Sequence, residues 1–203
     1  MNEHTPPTLA TNTGLRTAVI WVALANLAYF LVEYTYAMEM DSVSLFADSI
    51  DFLEDASVNL LIVLALAWSI KKRSLMGMGL AVIVMVPGLS VFWAAWQKFQ
   101  HPVPPDPWLL SAVGLGALVV NVACAWLLAR FRHHGGSLTR AAFLSARNDA
   151  FANLAIMGAG VLTAAWPSGW PDLIVGLAIA VMNADAAREI LEAARDEYTE
   201  AHS

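Results

Sequence analysis

Charge is scarce in this sequence, cysteine almost absent, and no connection is long enough to form a domain of its own. Only 14% of the 203 residues are charged, against about 25% in an average soluble domain. That deficit argues against a water-soluble fold. Lys and Arg number 11 against 17 Asp and Glu, and no nucleic-acid partner is expected. The single cysteine, Cys124, excludes an intramolecular disulfide and leaves the compartment unread. It lies in an apolar run and reads as a small core or lipid-facing residue. Residues 1–14 lack any apolar block and hold two prolines and four threonines. They read as a disordered tail, with no basic stretch leading into a signal-peptide core.

What the chain has in quantity is apolar length. Hydrophobic residues make up 58% and mean hydropathy is +0.57. A helix needs about 20 mostly apolar residues to span a bilayer. Six segments qualify, near 15–38, 44–70, 74–97, 108–130, 141–165 and 171–190. Pro87 and Gly88 predict a kink in the third. The expected fold class is therefore an all-α membrane protein, a six-helix transmembrane bundle over residues 15–190. A short C-terminal tail over 191–203 is expected to follow, with Glu192, Asp196, Glu197 and Glu200 on a solvated face.

Basic residues set the expected orientation. Lys71, Lys72 and Arg73 fall after the second span, and Arg130, Arg132 and Arg140 flank the turn after the fourth. Arg16, Arg188 and Arg195 lie at the chain ends, whereas the other side holds only Lys98. Positive-inside logic places both termini in the cytoplasm. Trp93, Trp96, Trp108, Trp166 and Trp170 then collect at the outer interface as an aromatic belt. His133 and His134 read as part of a solvated basic loop.

Against this apolar background one acidic group stands out. Asp48, Asp51 and Asp55 are spaced i, i+3, i+7 in LFADSIDFLEDASVNLL, so they share an arc of about 60° on one helix face. Glu54 points to another sector. Each carboxylate costs about 2.5–3.5 kcal/mol at the bilayer centre on insertion scales, and protons or a bound cation can offset that. In the fifth span Ser145, Asp149 and Asn153 are spaced i, i+4, i+8, a stripe of oxygen donors within about 80°. Arg147 is expected to snorkel toward the surface. With about 1.5 Å of rise per residue, Asp51 and Asp55 lie roughly 10 and 16 Å below the outer edge, and Asn153 and Asp149 roughly 12 and 18 Å. If the two helices touch, these groups form an oxygen cage suited to a divalent cation. The expected metal set is Asp48, Asp51, Asp55, Asp149 and Asn153, with Ser145, Asn148 and Glu33 as accessory candidates. Asn26, Asn59 and Asn121 read as interhelical glue, and Asn183 and Asp185 as polar residues near the cytoplasmic end of the sixth span.

These motifs resemble the cation diffusion facilitator family. The matching features are Asn26 and Glu33 in the first span, the Ser44-Leu-Phe-Ala-Asp48 turn, the pair Asp51 and Asp55, and the stretches NVACAWLLARFR, LTRAAFLSARNDAFANLAIMGAG and PDLIVGLAIA. The likeness runs over roughly residues 20–190. It implies secondary antiport, in which a divalent metal such as zinc or another transition metal leaves the cytoplasm against protons. It further implies a homodimer in a lipid bilayer, expected to be a bacterial inner membrane, with no tightly bound cofactor. The resemblance assigns Asp51, Asp55 and Asp149 to the transport site, while the family's usual histidine is Ser145 here. Imidazole favours zinc, so an all-oxygen site weakens that preference. The family's C-terminal cytoplasmic metal-binding domain is also missing from this sequence, and a short form is expected. Two other classes stay open: a membrane prenyltransferase using paired acids for magnesium, which lacks the basic residues a diphosphate needs, and a non-transporting metal sensor or complex subunit. The expected class is a transporter, not an enzyme.

Overall fold

A computed structural model of the protein describes residues 13–65, 89–131 and 136–183. Among these residues there are six helices and no strand. They are α1 (Thr13–Met40), α2 (Val43–Ala65), α3 (89–100), α4 (Pro107–Ala129), α5 (Gly136–Ala165) and α6 (Trp170–Asn183). Lys71, Lys72, Arg73, Pro87, Gly88, Arg132, His133, His134, Asp185, Arg188, Arg195 and both predicted tails apart from Thr13 and Gly14 lie outside the described residues.

The helices α1 and α4 are 28 and 23 residues long and apolar enough to cross a membrane. At 1.5 Å per residue they reach roughly 42 and 35 Å. Acidic and amide side chains interrupt the apolar character of α2 and α5. The distribution of polarity is the reverse of that in a protein dissolved in water. Trp21, Leu31, Val119, Trp126, Phe151, Val161 and Ile174 are exposed, while Asn26, Glu33, Asp48, Lys98, Asn121, Asn153 and Asp172 are buried. So much exposed apolar surface is unstable in water and stable against lipid tails. All five tryptophans of the expected belt are exposed. Trp96 stacks on Phe99, which meets Trp170 edge-on.

Local chemistry explains the boundaries. Three prolines, Pro102, Pro104 and Pro105, hold residues 101–106 out of helix. Asp106 then caps α4: its Oδ1 accepts from the backbone N–H of Trp108 and Leu109, both at 2.9 Å. Pro107 at the first position loses nothing, because that N–H has no helical partner anyway. The fifth helix starts at Gly136, earlier than the expected residue 141. The glycine pair reads as a break in sequence, but a glycine in the first turn leaves the helical hydrogen bonds intact. Between α1 and α2 the corner is only Asp41 and Ser42, and Asp41 takes a left-handed φ of 51°.

Among α1, α2, α4 and α5, the larger interfaces pair α1 with α2 and α4 with α5, and smaller ones between α1 and α4 and between α2 and α5 join the two pairs. The short corners α1–α2, α3–α4 and α5–α6 share one end of the bundle, here called the corner end. There a single apolar cluster takes in all six helices, including Ala37, Leu45, Ala95, Leu110, Ile156 and Leu173. A second cluster, Leu15, Val19, Val22, Cys124, Leu128 and Ala146, fills the opposite end from α1, α4 and α5. Along α2, Asp51 and Asp55 lie between Ile50 of the first cluster and Val58, which packs against the second, while Asp48 lies within the stretch of the first.

Candidate functional site

Three hydrogen bonds between two pairs of residues show that α2 and α5 meet. Asn153 Nδ2 donates to both carboxylate oxygens of Asp48, at 3.3 and 3.1 Å. Seven and eight residues away along the two helices, Ser145 Oγ donates to Asp55 Oδ1 at 3.0 Å. The helices run antiparallel, so Asp51 and Asp149 fall between these rungs. Asp149, Asp48 and Glu54 all lie near enough for their charges to act on Asp51, and Asp149 also faces Asp55 and Ser145. The result is a ladder of three levels, Asp48 with Asn153, Asp51 with Asp149, and Asp55 with Ser145. It spans roughly 10 Å along the helix axes. Simple rise arithmetic puts Asn153 level with Asp51. In the structure it pairs with Asp48 instead, about one turn nearer the corner end.

The levels differ in exposure and partners. Asp48 and Asn153 are fully buried, whereas Asp51, Asp55, Ser145 and Asp149 are half-buried. Asp55 accepts a second bond from Asn26 Nδ2 of α1 at 3.4 Å, and Asn26 Oδ1 accepts from Cys124 Sγ at 3.6 Å. Asn26 is thus the interhelical glue expected of it, and Cys124 is the buried small residue expected of it. Asn59 Nδ2 bonds back to the Asp55 carbonyl at 2.8 Å, and Asn153 Nδ2 to the Asp149 carbonyl at 2.6 Å. The side-chain oxygens of Asn59 and Asn153 are buried without a hydrogen-bond partner. In a dry site such an oxygen is a free acceptor.

Glu33 is one of the accessory candidates read from the sequence. It is fully buried in α1, and neither carboxylate oxygen has a hydrogen-bond donor. Its strongest charged neighbour is Asp48. Two carboxylates side by side only accept while both are ionised; a proton on one turns it into a donor to the other. Glu54 was assigned to another sector of α2, yet it is only 9% exposed and its charge acts on Asp55, Asp51 and Asp149. A single-helix wheel does not register burial by neighbouring helices. Asn148 and Arg147 are exposed and bond to each other at 3.5 Å, so Asn148 is not drawn into the ladder and Arg147 does not neutralise it. Asn183, expected near the end of the sixth span and the last described residue of α6, donates to Ala47 O of α2 at 3.4 Å.

No Lys or Arg makes an ion pair with the ladder acids among the described residues. Nor have any three His, Cys, Asp or Glu side chains among them already converged on a point that would hold a metal ion. The site is a stack of carboxylates, amides and a hydroxyl, with no thiolate and no imidazole.

One buried acid was missed in the sequence. Asp172, on α6, lies 130 residues from its partner Ser42 and far from any acidic motif. It joins an ion pair with Lys98 at 3.8 Å. No local spacing signals such a pair.

Comparison with known proteins gives a consistent result. Residues 19–197 match the cation efflux transmembrane domain family. Over 217 aligned positions the chain is 23% identical to the zinc transporter ZitB of Escherichia coli (strain K12), covering 95% of this chain and 68% of that protein. The zinc transporter ZitB of Shigella flexneri gives the same figures.

Proposed function

Because this chain belongs to the cation efflux family and is an integral membrane transporter of metal cations rather than an enzyme, we propose that it exports a divalent cation in exchange for protons through the α2–α5 ladder. The observation that carries this reading is the double bridge, Ser145 to Asp55 and Asn153 to Asp48, with Asp51 and Asp149 between them. Carboxylates in a low-dielectric interior need a counter-charge. With no Lys or Arg beside them among the described residues, that charge is either protons or the transported cation. The two compete for the same oxygens, and this competition is what couples them.

Asp51, Asp55 and Asp149 are the principal ligands in this proposal. Asp48 and Asn153 complete the shell from the corner side, and Ser145 from the other. Arrival of a cation draws the three acids together by a side-chain rotation or a small shear between the helix pairs. The relatives' name makes zinc the first ion to try; aspartate oxygens bind it at about 2.0–2.2 Å. An oxygen-only site also suits manganese and other harder ions. Both termini in the cytoplasm, a homodimer held by membrane helices and a bacterial inner membrane belong to the same proposal.

The test uses everted vesicles carrying an interior-acid proton gradient. Zinc uptake should require the gradient and should vanish in Asp51→Ala and in Asp149→Ala. Wild-type rates in both variants would end this reading. Ser145, standing where the family usually has histidine, motivates a second reading as a non-transporting sensor or complex subunit. Tight zinc binding by the purified protein without any vesicle flux would favour it.

A further inference from the structure

At the corner end the first turn of α2 is held by a residue of another helix. Val43 N donates to Asp172 Oδ2 at 2.9 Å and Ser44 N to Asp172 Oδ1 at 3.1 Å. The hydroxyls of Ser42 and Ser44 donate to the same Oδ1, at 2.7 and 2.6 Å. Ser42 Oγ in turn accepts from Leu45 N at 3.2 Å, and Ser42 O from Phe46 N at 3.1 Å. Every N–H of the first turn of α2 is thereby satisfied, half of them by a carboxylate from α6. A negative group at a helix N-terminus is also favoured by the helix dipole.

Asp172 is fully buried, and so is Lys98 at the end of α3. Their ion pair, at 3.8 Å, ties α3 into the same node. Lys98 Nζ also donates to the carbonyl of Asp41 and lies 3.7 Å from the Asp41 carboxylate. Shape complements charge. A Cβ placed on Gly176 would lie 2.7 Å from Val43 and Ser44 backbone atoms. Glycine at that position lets α6 lie against the start of α2, one turn from Asp172.

Resting on the transport reading above, we infer that Asp172, backed by Lys98, is a positioning residue for transport that fixes the depth and rotation of α2, and with it Asp51 and Asp55, against Asp149 on α5. The second helix is continuous from Val43, so Asp51 lies roughly 12 Å and Asp55 roughly 18 Å below the anchor. A slip at the first turn therefore moves both ligands together. Outer groups that orient metal ligands typically change affinity by about 10–100-fold when removed.

The test measures zinc uptake into everted vesicles, normalised to folded protein in the membrane, for Asp172→Asn, Lys98→Met and Ser44→Ala. A role confined to folding lowers the amount of protein and leaves KM for zinc unchanged. A positioning role raises KM by about tenfold or more in Asp172→Asn and Lys98→Met, and by about twofold or more in Ser44→Ala, which loses one hydroxyl bond. Unchanged KM in the folded fraction of these variants overturns the inference. If the two charge variants do not fold, Ser44→Ala decides alone. Wild-type vesicles without zinc flux would instead sink the transport reading itself.

Discussion

Asp172 is fully buried and the ladder acids of α2 and α5 are buried or half-buried, but they keep opposite electrical company. Asp172 has four hydrogen-bond donors and a buried lysine beside it. Asp51 has Asp149, Asp48 and Glu54 around it, and Asp149 has Asp55, Asp48 and Glu54, with only the Ser145 hydroxyl as a donor among the described residues. A buried acid that is fully matched is a structural joint. Buried acids left unmatched are tolerable only when something mobile and positive completes them. The same residue type thus serves two ends in one bundle, and the neighbours decide which.

The widest separation between the two regions should appear in flux. Asp51→Ala is expected to reduce zinc transport by more than about 100-fold, since even groups one shell away from a metal cost 10–100-fold. Asp48→Asn should cost less, about tenfold, because Asn153 already bonds both oxygens of Asp48. Vesicle uptake checks both. Equal losses at positions 48 and 51 would erase the distinction between rungs.

Stability should separate the regions in the other direction. Asp172→Ala leaves Lys98 buried without its partner and is expected to cost about 3–5 kcal/mol, read as a large drop in thermal midpoint in detergent. Asp51→Ala removes one of several repelling charges, and its midpoint should hold or rise. A lower midpoint in Asp51→Ala than in Asp172→Ala would reverse the comparison.

Much of this contrast could be read from the chain before any coordinates. The i, i+3, i+7 spacing of Asp48, Asp51 and Asp55 and the i, i+4, i+8 spacing of Ser145, Asp149 and Asn153 are properties of single helices. Helical periodicity alone puts each set on one face. That the two faces meet is a tertiary fact, suggested in the sequence by overlapping depth and seen in the Ser145–Asp55 and Asn153–Asp48 bonds. The register differs by about one turn from the rise arithmetic, because rise per residue does not say where two helices start relative to each other. Asp172 was illegible for a different reason: its partners come from α2 and α3, and nothing in PDLIVG marks an acid that caps another helix. The burial of Glu33 and Glu54 likewise depends on neighbours that a helical wheel omits.

A subtler probe concerns chemistry rather than position. Ser145→His places an imidazole beside Asp55 and should tighten zinc relative to manganese by about tenfold, measured by competition in uptake. An unchanged preference would mean that Ser145 does not face the cation. The smallest effect is expected at Arg147, which is exposed and whose side chain, among the described residues, bonds to its neighbour Asn148. Arg147→Ala should change stability by less than about 0.5 kcal/mol and leave flux intact.

The exchange of protons for a cation at unmatched carboxylates is tested most directly by calorimetry. Zinc is titrated into the purified protein in two buffers of different ionisation enthalpy, so that protons released per bound cation are counted. Proton release on binding is expected, together with loss of binding in Asp51→Asn and Asp149→Asn. Zinc that binds without releasing protons, or binds equally well to both variants, would contradict the account.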